Sequence, residues 1–101
     1  DILICHGNKI IEEKCKIIII GHDHPAVGLR EDSRVETFKC FLKGKWQEKK
    51  LIVMPSSNLV TQGSDVLRET LLSPYLKNID DFEIYVVDKE IYDFGKVKEL
   101  K

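Results

Sequence analysis

Charge bias, membrane-length apolar runs and paired cysteines are all scarce in this chain of 101 residues, and each scarcity closes off a class of function. Lys and Arg number 16 against 17 Asp and Glu, a formal net charge of -1. No global field therefore draws the chain to nucleic acid or to an anionic membrane, and only local patches can serve such partners. No stretch approaches the ~20 apolar residues that span a bilayer, and no signal-peptide pattern occurs, so a soluble protein without a membrane partner is expected. Cys5, Cys15 and Cys40 form neither a CxxC knuckle nor an even secreted framework, which predicts a reducing, cytoplasmic location. Cys5 and Cys40 fall inside apolar strand patterns, as inert core thiols do. Ser56 and Ser57 lack a Gly-x-Ser-x-Gly elbow, which argues against serine-nucleophile chemistry.

What the sequence does hold is strand signal. Apolar or alternating runs bounded by turn residues predict strands at 2–5, 17–20, 26–30, 34–42, 50–54, 82–88 and 91–94. Phe38, Cys40 and Leu42 fall on one face of their run, with Thr37, Lys39 and Phe41 on the other. Lys43-Gly44-Lys45-Trp46 reads as a hairpin turn leading back into the run at 50–54. Residues 55–65 read as a loop. Asp65 is placed to cap a short helix over 66–72, ended by Ser73-Pro74. Lys96 to Lys101 reads as a frayed tail. The chain opens on Asp1 and enters a strand at once, which predicts a segment of a longer polypeptide.

All three histidines follow strand-like runs. Ile2-Leu3-Ile4-Cys5 leads into His6-Gly7, and Ile17-Ile18-Ile19-Ile20 leads into Gly21-His22-Asp23-His24-Pro25. Strand carboxyl ends are where α/β proteins commonly place ligands, and imidazole is the commonest metal ligand near neutral pH. A His-x-His pair on a straight strand points both rings one way, whereas a Gly-started turn lets them diverge toward two nearby ions. Asp23, between two inward-pointing neighbours, is expected to face away. The competing reading is that these are ordinary turn or core histidines. No thiolate pair stands at zinc-finger spacing.

The strand-His6-Gly7 unit, followed after a short spacer by the strand-Gly21-His22-Asp23-His24 unit, resembles the last two signature blocks of the calcineurin-like metallophosphoesterases. Pro25, the hairpin after it and the stretch from Pro55 through Leu72-Ser73-Pro74 to Val97 resemble a subgroup of prokaryotic phosphoesterases. The resemblance implies an α/β fold, here the strand-rich C-terminal part of a β-sandwich flanked by helices. It implies phosphomono- or diester hydrolysis at a two-metal centre, with His6 and His22 on one ion and His24 on the other. Nitrogen ligands together with carboxylates favour manganese, iron or zinc over calcium. The family's earlier blocks, Asp-x-His, Gly-Asp-x-x-Asp and Gly-Asn-His-Asp or Glu, are absent from the sequence. No catalytic acid or base is assigned, and the chain alone is expected to be a poor enzyme.

Two further features have local readings. The loop beginning Ser56-Ser57-Asn58 offers Asn58 and Gln62 as substrate-binding donors, or is a plain connection. Lys39, Lys43, Lys45, Lys49 and Lys50 surround Trp46, a pattern able to bind phosphates and stack a base, or simply to keep a sheet edge soluble. The alternative to an enzyme is therefore a non-catalytic module that oligomerises or binds nucleic acid. Strands apolar on both faces, such as Ile17 to Ile20, predict an oligomer or a place in a longer chain.

Overall fold

Four consecutive β-branched residues favour a pleated backbone, and Ile17–Ile20 forms an interior strand of a mixed sheet, buried at Ile18 and Ile20 and half-buried at Ile17 and Ile19. The fold is that of a computed structural model, which describes residues 1–58 and 63–101. In chain order the elements are β1 (Ile2–Ile4), β2 (Ile17–Ile20), β3 (Pro25–Glu31), β4 (Arg34–Trp46), β5 (Lys49–Val53), β6 (Ser64–Asp65), β7 (Glu83–Val87), β8 (Ile91–Lys96) and α1 (Val97–Leu100). Six strands run across the main sheet in the order β1-β2-β5-β4-β7-β8. The first three are mutually parallel, and the others pair antiparallel. The first half of β4 pairs with β3, which also takes β6 as a parallel neighbour. The chain is thus strand-rich with little helix, and no described helix is long and apolar enough to cross a membrane.

The core lies on one face of the main sheet. Ile18, Ile20, Leu51, Val53, Leu42, Cys40, Ile84 and Val86 are at most 2% exposed. They cluster with Val66, Leu71, Tyr75, Leu76, Ile79, Phe82 and Val97, so the covering layer is mostly irregular chain between β6 and β7. Three sequence expectations are corrected here.

The hairpin turn is not at 43–46. There β4 continues to Trp46, and the turn is Gln47-Glu48, with φ of 48° and 67°. Positive φ at both central residues matches the twist of the flanking strands. Gly44, which suggested a turn, instead leaves room for the Phe82 ring against the strand.

The helix expected over 66–72 is a single turn. Asp65 does cap it, accepting from Leu67 N at 3.0 Å through Oδ1 and from Glu69 N at 2.8 Å through its carbonyl. The chain then departs because the Asp23 carboxylate takes Leu72 N at 2.6 Å and Ser73 N at 2.9 Å.

The expected frayed tail is docked. Val97 is 0% exposed, its N–H donates to Phe82 O at 2.8 Å, and Lys98 pairs with Asp81 at 2.8 Å.

Candidate metal centre

Parallel pairing of β1 with β2 sets Ile4 opposite Ile19, so the two chains leave the sheet at the same level. The backbone carbonyl of His6 then accepts from Gly21 N at 3.1 Å and His22 N at 2.8 Å. This double bond of the loops lays the two imidazoles together. His22 Nδ1 stands 2.8 Å from His6 Nε2, with ring centroids 4.7 Å apart and planes at 77°. One of those nitrogens donates and the other accepts, so the pair shares a single proton between two ligand-capable atoms.

His24 closes the turn that begins at Gly21, its N–H donating to Gly21 O at 3.3 Å. Its backbone has φ 48°. The conformation is held from outside: the His24 carbonyl accepts from Ser64 N at 3.0 Å, and Gly63 packs so closely that a Cβ there would strike that carbonyl. His24 Nδ1 is buried and has no hydrogen-bond partner among the described residues. A buried polar atom left unpaired costs about 1–3 kcal/mol, so this nitrogen invites a ligand.

His6 and His24 line one cleft of about 310 Å³, with Gly21 between them and Ser56 and Ser57 on a further wall. Gly21 meets nothing within 4 Å where a Cβ would stand. Neither crowding nor a left-handed backbone requires a glycine there, and the space it leaves opens on the cleft. His6 and His24 therefore line a shared cleft, and His22 is in direct contact with His6. Among the described residues no three His, Cys, Asp or Glu side chains are grouped closely enough to hold a metal ion.

Asp23 points away from this region, as its place between two histidines suggests, and it has a structural task of its own. It is 6% exposed and accepts the two N–H groups of residues 72 and 73. Ser73 Oγ in turn donates to Gly7 O at 2.5 Å and accepts from Tyr75 N at 3.3 Å. Both histidine loops are thereby tied to the covering layer. Sequence reading missed this buckle because Ser73 lies 50 positions from Asp23 and reads locally as a helix stop.

The other candidates separate. Asn58 is exposed; its N–H donates to Ser56 Oγ at 3.0 Å and its carbonyl accepts from Lys39 Nζ. Lys39 Nζ also reaches Ser56 O at 3.0 Å, which steadies the loop beside the cleft. Gln62 lies outside the described residues. Trp46 packs edge-on against Tyr75, centroids 4.8 Å apart, with Lys49 Nζ 5.8 Å from its ring centre. Strand alternation puts Lys43, Lys45 and Lys50 on the opposite face from Trp46. Burial pushes the Cys40 thiol up to about 12, with the nearby Asp65 charge adding to the shift, so this cysteine is protonated and inert. No family model, no curated protein and no solved structure matches this chain.

Proposed function

We propose that this chain supplies the imidazole half of a two-metal phosphoesterase centre, within the strand-rich part of a metallophosphoesterase-type β-sandwich. The observation that carries the reading is the convergence of imidazoles from two parallel strand ends: His22 Nδ1 at 2.8 Å from His6 Nε2, with the unpartnered His24 Nδ1 in the same turn as His22. The donor set fits transition ions. Neutral imidazole suits zinc or iron and is a poor ligand for calcium, and manganese fits once carboxylates complete the set. His6 and His22 would hold one ion and His24 a second, and the open space at Gly21 leaves the cleft free beside them. The set is partial, because divalent sites of this class take carboxylates as well, and Asp23 is committed to the backbone of residues 72 and 73.

Each part of the chain has a share in such a centre. The β1–β2 pairing fixes the spacing of His6 and His22, and the Asp23–Ser73 buckle keeps both loops from drifting. The wall at Ser56 and Ser57 would border a bound phosphate ester. When bound, divalent ions supply Lewis-acid polarisation of the phosphoryl oxygens and a water acidified toward neutral pH.

Calorimetric titration of zinc and manganese tests the reading. Binding should be weak and should disappear in His22→Ala, with only slow cleavage of a chromogenic phosphodiester by the wild-type chain. Absence of metal binding would refute the reading. Fast turnover abolished by His22→Ala would show the site to be more complete than argued.

A further inference from the structure

The main sheet has two faces, and the core occupies one. Strand pairing aligns Ile4, Ile19, Ile52 and Lys43 in one row and Ile2, Ile17, Lys50 and Lys45 in the next, all on the face away from Leu42, Leu51 and Val53. Ile2 and Ile4 are 57% and 74% exposed, Ile17, Ile19 and Ile52 are half-buried, and Lys43, Lys45 and Lys50 are exposed. Parallel strands such as β1, β2 and β5 are normally covered on both faces, usually by helices. Among the described residues, the elements cover only one.

The lysines say what kind of cover fits. Lys45 stands directly opposite Lys50 across β4 and β5, a like-charge pair that disfavours the sheet it sits on. The side chains of Lys43, Lys45 and Lys50 make no hydrogen bond or ion pair among the described residues. Glu83, opposite Lys43 on β7, and Asp81 border the same cleft as the three lysines, while the eight positions of the two rows include no acid. A second copy laid face to face would bring only isoleucine and lysine to meet isoleucine and lysine. Aliphatic side chains also give bases nothing to stack on, and Trp46 is on the other face.

We infer that this face docks an acidic amphipathic helix, its apolar stripe over Ile2, Ile4, Ile17, Ile19 and Ile52 and its carboxylates against Lys43, Lys45 and Lys50. The inference is independent of the metal centre.

A synthetic helix with a leucine stripe flanked by Glu, and its counterpart flanked by Lys, provide the probes. Fluorescence anisotropy should show the Glu peptide binding the metal-free chain at least tenfold more tightly, with the gap narrowing as salt screens the charges. Isoleucine methyl signals of the open face should shift on binding. Lys45→Glu combined with Lys50→Glu should invert the preference, and Ile4→Asp, at an exposed position, should weaken both peptides without unfolding the chain. The inference is overturned if the two peptides bind equally or not at all. It is likewise overturned if sedimentation shows a dimer that shields these isoleucines, or if a single-stranded oligonucleotide displaces the Glu peptide.

Discussion

His24 occupies a backbone position that its own side chain does not favour. Its φ is 48°, and it directly precedes Pro25, a neighbour that biases the preceding residue toward extended conformations. Strain of this kind costs about 1–3 kcal/mol and persists only where the surroundings enforce it, most often at functional sites. Here the enforcement comes from Ser64 N and the close approach of Gly63. The buried Nδ1, without a partner among the described residues, adds a second local cost. The proposed metal centre would account for a chain that keeps both costs at one histidine. His24→Gly should therefore unfold at a higher denaturant concentration than wild type, by about 1 kcal/mol, while losing the ring. His24→Ala, which keeps a Cβ at the strained position, should fall below His24→Gly. Equal stability of the two variants would show that the backbone there is not strained.

At the scale of elements, local pattern and distant partner compete. The seven strands of more than two residues were legible because β-branched runs and alternation are local signals, and Ile17 to Ile20 needed no tertiary knowledge. The errors fall where a contact far along the chain decides. Gly44 looks like a turn until Phe82 is placed against it, and residues 66–72 look helical until Asp23 captures Leu72 and Ser73. Lys96 to Lys101 looks like a tail until Val97 is found at 0% exposure with its N–H on Phe82 O. The placement of the histidines was legible to the same degree. Strand-end placement was visible in the sequence, but the contact of His6 with His22 depends on the parallel register of β1 and β2. The docking of α1 gives a direct test at this scale. Val97→Ala should lower unfolding free energy by about 2 kcal/mol, the loss expected for buried methyl groups plus a residual cavity. A change within about 0.5 kcal/mol, as at an ordinary surface site, would restore the frayed-tail reading.

At the scale of the whole molecule, a formal net charge of -1 conceals a separation of surfaces. One face of the main sheet carries the core. The other presents isoleucine beside lysine, and the histidine cleft opens where β1 and β2 end. Ile4 and Ile19 belong both to the open face and to that cleft, so whatever covers the sheet borders the imidazoles. The central claim is that His6, His22 and His24 act together as metal ligands, and ring-nitrogen NMR tests it most directly. In a zinc titration of the 15N-labelled chain, the signals of His6 Nε2, His22 Nδ1 and His24 Nδ1 should all move to metal-bound positions, saturate, and return when a chelator is added. Rings that keep their metal-free signals at saturating zinc, or a His24 Nδ1 that stays unchanged while the other two respond, would contradict it.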